Sequence, residues 1–285
     1  MPRITEEELI KSVREIPPLP QVVVKSVKLI NDEKSTVNSL ADILKQDQGL
    51  TTKVLRLANS AFYGFPRKVN TVNEAIVLMG FNTIKGLVMA VGAFGHFNRK
   101  SDGYKMEKGE LWKHAISTAI AARHIAAKVR YPDIEQAFVG GLLCDIGKVI
   151  IDRYLKAEFE RVLVLAETQE RSFVDAEQEL LGFDHTSVGE KILEKWKLPE
   201  DLREAVACHH KPELAKINPQ LTWVVHVADS LTMMLGFGIG GDGLFYKIDT
   251  SKAEALGLTE QDIEKIIDEL YEVIEADSDN FMNLN

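Results

Sequence analysis

Residues 111–155, LWKHAISTAIAARHIAAKVRYPDIEQAFVGGLLCDIGKVIIDRYL, decide how this chain is read. Apolar side chains recur three and four positions apart through both halves, the spacing that lines one face of an α-helix. Pro132 divides the halves, because a proline cannot continue a helix. Among these apolar residues stand His114, Cys144 and Asp145. An unpaired buried carboxylate is expensive, so Asp145 needs a cationic or hydrogen-bonding partner from elsewhere in the fold.

Outward from this stretch the helical spacing continues, and no run of clean alternation bounded by hairpin turns interrupts it. The fold class expected is all-α, a multi-helix bundle. Thr5 with Glu8 forms a capping-box pattern for a first helix, which IPPLP at residues 16–20 stops. Further helices are expected at about 21–31, 36–45, 50–60, 71–80 and 82–97, with Asn82 capping the last of these. A second series is expected at about 107–130, 133–153, 156–170, 184–197, 200–209 and 219–235, and Thr259 opens a final helix to about 276. The polar run from Asn98 to Lys105 marks a boundary. The expected parts are an N-terminal helical subdomain, 1–100, a second helical subdomain, 101–245, and an acidic C-terminal helix and tail, 246–285. The glycine-rich run from Gly236 to Gly243 lacks the preceding strand and Gly-Lys-Ser/Thr ending of a phosphate loop, and is read as a flexible connection.

Composition narrows the class. The chain has 285 residues, 45% of them apolar, and a formal charge of −9, ordinary values for a protein with a sizeable core. Residues 1–100 carry 14 basic and 9 acidic side chains, residues 101–250 carry 18 and 24, and residues 251–285 carry 2 and 10. Only the first part leans basic, and weakly, so nucleic acid is disfavoured as a partner. Two cysteines, Cys144 and Cys208, are too few for a disulfide framework, which favours a reducing compartment. The start, MPRITEEELIKS, lacks the basic and apolar regions of a secretory signal. The most apolar stretch, Ala75 to Phe97, is broken by Gly80, Asn82, Lys85, Gly86, Gly92 and Gly95, so a buried helix is expected and no membrane span. A cytoplasmic location follows as the expectation.

Position, more than number, singles out certain side chains. His185 follows Asp184, a plausible N-cap, His209 and His210 end a helix before Pro212, and Asp229 lies in the apolar segment VVHVADSL. Imidazoles and carboxylates gathered from separate helices are how bundles build metal sites, and this donor set suits Fe, Mn or Zn. Other readings stand beside it. His114 and His185 could be histidines bonded to backbone, His209 and His210 could favour the negative end of a helix, and Asp229 could pair with His226. Cys144 could be a small apolar core residue. His96 and His124 are read as structural.

The segments IPPLP, ADILKQDQGLTTKVLRLANSAFYG, AIVLMGFNTIKGLV, LWKHAISTAIAARHIA, AFVGGLLCDIGKVII and FDHTSVGEKILEKWKLPEDLREAVACHH together resemble the HDOD family of bacterial signalling proteins. The resemblance covers roughly residues 10–235, and it is most specific from Leu50 to Gly64. It implies an HD-domain-like core and kinship with the HD and HD-GYP metal-dependent phosphohydrolases, in a family regarded as regulatory modules with degenerate catalytic sites. By that resemblance His114 matches the first metal-ligand histidine, and Cys144-Asp145 occupies the signature His-Asp doublet. Lys148 matches a phosphate-facing lysine, His185, His209 and His210 match the additional histidines, and Asp229 matches the closing aspartate. The implied metal set is His114, Cys144, Asp145, His185, His209, His210 and Asp229, with Asp145 and Lys148 as catalytic groups only if the protein is active.

Two departures bear on activity. A thiolate at Cys144 is softer than imidazole and must lose a proton to bind metal. After His209-His210 the chain reads KPELAKINPQ, without the Gly-Tyr-Pro associated with cyclic di-GMP hydrolysis in HD-GYP proteins. The expected function is a signal-transduction module that works through protein contacts and retains a metal site without efficient catalysis; an active metal phosphohydrolase is the alternative. Signalling proteins are the expected partners. Phe62, Tyr63 and Phe65, beside Pro66, Arg67 and Lys68, are the residue types found at interface anchors, although aromatics at such a place also plug a bundle's own core.

Overall fold

The computed structural model describes residues 6–168, 172–241, 250–276 and 284. Among them are thirteen α-helices and no strand; a single bridge pairs Ser101 with Met106. The fold is all-helical, as the spacing predicts. The helices are α1 (Glu6–Glu15), α2 (Gln21–Ile30), α3 (Val37–Leu44), α4 (Gln48–Ala58), α5 (Val72–Phe97), α6 (Glu110–Lys128) and α7 (Ile134–Leu143). They continue with α8 (Lys148–Thr168), α9 (Phe173–Leu181), α10 (His185–Lys195), α11 (Glu200–Cys208), α12 (Pro219–Met234) and α13 (Glu260–Ala276). Several open on side-chain caps that satisfy otherwise orphaned N–H groups: Asp47 accepts from Leu50 N–H, Asp133 from Gln136 N–H and Asp184 from Ser187 N–H.

Three differences from the sequence reading have physical causes. The helix expected to run unbroken through 133–153 stops at Leu143, and a turn over residues 144–147 separates it from α8. Gly147, the last residue of the turn, packs against α10, since a Cβ there would lie 1.8 Å from the His185 carbonyl oxygen. Helix α9 lies where the spacing predicts no helix; Ser172 caps it by accepting from Asp175 N–H, and Gly182, at φ 92°, ends it in the left-handed conformation. The segment beginning at Asn82 instead starts directly after Gly80, whose φ of 79° and ψ of 169° interrupt α5. By length and composition α5 could cross a membrane, but 56% of its most apolar window is buried and Gly80 breaks it. The glycine-rich connection is described only to Gly241, so its last residues lie outside the described part.

The chain forms two compact units. One holds the chain up to Pro18 and His96–Asp268; the other holds Leu19–Gly95 and the chain from Glu269. Helix α1 belongs to the first because the Lys195 ammonium donates to the carbonyls of Val13, Arg14 and Ile16, at 3.1, 2.8 and 2.6 Å, and the Ser12 and Tyr154 hydroxyls share a hydrogen bond. In the same unit, α6, α7 and α12 approach closely where Gly140 and Gly141 leave room. A Cβ on Gly141 would stand 2.6 Å from Thr118 O, and one on Gly140 would stand 2.9 Å from Val225 Cγ2. In the other unit Gly92 of α5 faces Val23 of α2, and Asn59 clamps the loop after α4 by donating to the Leu55 and Val69 carbonyls and accepting from Val69 N–H.

His96 is buried against the ring of Trp196, at 5.2 Å between centroids. Burial, followed by the charges of Arg99 and Lys195, lowers its pKa to about 4. The folded state therefore binds this proton more weakly than the unfolded chain, so the contribution is present above the unfolded value of 6.5 and is lost as the pH falls toward 4. We expect stability to drop by about 2 kcal/mol over that window from this residue, after discounting for solvent screening. Urea unfolding of wild type and His96→Gln at pH 7 and pH 4.5 checks it: the variant should lose less, and an identical loss in both would refute it.

Candidate metal centre

The turn that splits α7 from α8 is what builds the site. Gly147 approaches both the His185 carbonyl and the Gly189 amide, so the turn lies against the first turns of α10 and carries Asp145 to the His185 ring. His114 comes from α6, His185 opens α10, His209 and His210 follow the end of α11, and Asp229 projects from α12. Elements distant in sequence thus deliver their polar side chains to one buried place. Asp145 is 1% exposed, His114 and His209 are 0%, and Asp229 is 2%.

Two ligand groups result, with Asp145 common to both: Asp145, His185, His209 and His210, and His114, Asp145 and Asp229. The His114 Nε2 stands 2.9 Å from Asp229 Oδ1 and 3.2 Å from Asp145 Oδ2. On the other side of Asp145, Oδ1 is 3.4 Å from His185 Nε2 and 3.8 Å from His209 Nε2, and the His185 and His210 Nε2 atoms are 2.9 Å apart. Neighbouring ligands around an ion at about 2.1 Å would be separated by about 3.0–3.4 Å, so these atoms are spaced as ligands are. Asp145 Oδ1 and His209 Nε2 are both buried without a hydrogen-bond partner. Orphaned buried polar atoms are rare, and two that face one another across a ligand cluster are donors suited to a cation.

The rings are oriented from behind. Val206 O and Phe237 O can only accept, so Nδ1 of His209, at 2.7 Å, and Nδ1 of His114, at 3.2 Å, carry the protons and turn Nε2 inward. His185 is held by a carboxylate: Glu177 accepts from its Nδ1 at 2.8 Å and from its backbone N–H at 3.0 Å. His226 donates from Nδ1 to the His209 carbonyl at 2.6 Å, while Asp229 faces His114, so the arrangement differs from a pairing of Asp229 with His226.

Electrostatics follow from this crowding. Burial disfavours charge on Asp145, but Lys148, then His114, His185 and His209, hold its carboxyl below the ordinary range; the Lys148 Nζ lies 2.7 Å from Asp145 Oδ2. Burial opposes a charge on His185 too, yet the charge and hydrogen bond of Glu177 raise it to about 9. Burial prevails at His209, lowered to about 4, and at His210, pushed well below its usual value.

Of the residues that the sequence singles out, the structure gathers His114, Asp145, Lys148, His185, His209, His210 and Asp229. It does not gather Cys144 as a donor: its buried thiol donates to Gly141 O at 3.2 Å, belongs to neither ligand group, and burial raises its pKa well above the usual value. His124 is satisfied by the Ile120 carbonyl. The sequence reading does not single out Glu177 or Tyr104: Glu177 stands among Asp175, Gln178 and Glu179 in VDAEQELLGF, and nothing local marks it as the buried carboxylate.

An all-helical core with a histidine–aspartate cluster able to hold metal defines the class. The HDOD domain family matches residues 16–212, most of the chain, and the protein belongs to that family. Its fold is shared by an HDOD domain protein of unknown function from Geobacter sulfurreducens, with a TM-score of 0.76 at 24% identity over 99% of each chain. It is shared too by a Shewanella amazonensis protein assigned to the phosphohydrolases by name only, with a TM-score of 0.74 at 24% identity over 97% of each chain. A Marinobacter aquaeolei protein, assigned to signal transduction by name only, superposes with a TM-score of 0.71 at 22% identity, over 98% of this chain and 61% of that one. An uncharacterised protein of Treponema pallidum is 27% identical over 202 residues, which are 70% of this chain and 38% of that protein. The chain thus spans about two fifths of that relative's length.

Lys148 is nearly enclosed beside Asp145, and removing one partner of a buried pair leaves the other charge uncompensated. Lys148→Met should destabilise the chelator-treated protein by about 3 kcal/mol or more. Urea denaturation reads this directly, and an unshifted midpoint would contradict it.

Proposed function

We propose that the protein is a signal-transduction module that holds a divalent metal in the Asp145 cluster, acts through contacts with other signalling proteins in the cytoplasm, and does not catalyse efficiently. The observation that carries this reading is the pair of orphaned, enclosed atoms, Asp145 Oδ1 and His209 Nε2, in a cluster that is almost wholly buried. Such a place suits an ion that joins helices better than one that must exchange substrate. His114, Asp145 and Asp229 would hold one ion and Asp145, His185, His209 and His210 a second, of Fe, Mn or Zn. A bound ion would add positive charge among the carboxylates and link α6, α10, α12 and the α7–α8 turn. The half-buried Phe62, Tyr63 and Phe65, with the exposed Arg67 and Lys68, are the proposed partner surface.

A second reading, a working phosphohydrolase, is favoured by one observation: the buried Lys148 ammonium beside Asp145. In it Lys148 would steady charge developing on a phosphate, Asp145 would help to hold the metal, and the bound ion would supply Lewis acidity.

Protein purified without chelator or affinity-metal exposure should contain up to two metal equivalents, and Asp145→Asn, which alters the shared ligand, should lose most of them by elemental analysis. Metal below about 0.1 equivalents, unchanged after reconstitution, would overturn the metal reading. Where free metal exceeds Kd a hundredfold, it should stabilise the fold by about 2.7 kcal/mol relative to chelated protein. Cyclic di-GMP and a generic phosphodiester should not be turned over with added Mn or Zn; robust turnover abolished by Asp145→Asn would select the second reading.

A further inference from the structure

The Glu177 carboxylate is completely buried, yet it does not enter either ligand group. It lies one step behind them. One oxygen, Oε2, accepts from both the Nδ1–H and the backbone N–H of His185, and the other accepts from the hydroxyl of Tyr104, itself fully buried. Three donors therefore fix both the position and the rotation of the carboxylate. The Tyr104 ring is packed in turn: the Phe173 ring lies 6.0 Å from it between centroids, and the Lys148 ammonium sits 5.4 Å from the Tyr104 centroid. The other oriented histidines differ, because His114 and His209 donate to neutral backbone carbonyls.

We propose that Glu177, locked by Tyr104, is a positioning residue that commits the His185 Nδ1 proton outward and its Nε2 toward Asp145 and His210, and so selectively strengthens the metal position formed by Asp145, His185, His209 and His210. A carboxylate behind an imidazole raises its basicity as a ligand more than a carbonyl does, and losing such a partner typically weakens metal binding about 10- to 100-fold. The position formed by His114, Asp145 and Asp229 does not use His185, so its affinity should stay within about twofold. This inference rests on the metal reading above, but part of its test does not.

The test titrates chelator-treated full-length protein with Zn or Mn alone by calorimetry, for wild type, Glu177→Gln and Tyr104→Phe. Both variants should lose affinity in one of two binding steps, Glu177→Gln by about 10- to 100-fold and Tyr104→Phe by less, with the other step unchanged. The same metal-free samples are examined by ¹H–¹⁵N imidazole spectroscopy. Wild type should show a His185 Nδ1 proton that is strongly downfield and slow to exchange, and Glu177→Gln should move it upfield. Wild-type affinity in both steps for both variants, or equal loss in both steps, would overturn the proposal. If wild type binds no metal, the metal reading fails; the spectra then decide whether Glu177 positions the ring, and a His185 Nδ1 without a proton would reject it. Should Glu177→Gln fail to fold, Tyr104→Phe carries both measurements.

Discussion

Burying Asp145 is the constraint on which the rest of this unit depends. A carboxylate nearly out of contact with water is tolerated only where cations and donors surround it, and here they come from four directions: Lys148 one turn on, His114 from α6, and His185 and His209 from α10 and the end of α11. A shift of Lys148, of α6 or of α10 would therefore weaken the compensation of a buried charge. The polar cluster consequently acts as a registry device for the helices, in addition to whatever ion it holds, while α6, α7 and α12 bury apolar faces around it.

Glycine decides how closely those elements can meet. At Gly141 and Gly147 the neighbouring backbone occupies the volume of a Cβ, so almost any side chain would push α7 off α6 or the doublet turn off α10. Gly238 does a similar service: at φ 64° it packs on the backbone of Glu110 and His114, which lets the adjacent Phe237 carbonyl reach the His114 ring. The run that reads as a mere connection therefore contributes an orienting acceptor.

Much of this was legible because helical periodicity and caps are local signals. The apolar spacing of α6 and α12 and the N-cap at Asp184 act within a turn or two, and the sequence carries them plainly. Which polar side chains share a pocket is a non-local matter, and only the family resemblance named His114, Asp145, His185, His209, His210 and Asp229 as a set. What lay beyond reach was set by packing. The turn after Leu143 carries Gly147 against the His185 carbonyl, a contact with a residue some forty positions away that no local pattern shows. Helix α9 is short, with a Gly182 terminus that resembles any turn, and with it went Glu177. A backbone acceptor such as Phe237 O has no side-chain signature at all.

The direction of the Cys144 thiol has a consequence for redox chemistry. A sulfur with no exposure, bonded to a main-chain carbonyl and pushed toward its protonated form, offers oxidants and alkylating reagents no thiolate. Cys208, the other cysteine, is partly accessible at the end of α11, immediately before His209. Thiol labelling of the native protein would thus mark the end of the helix that leads into the histidine pair, while the doublet position stays silent until the core opens.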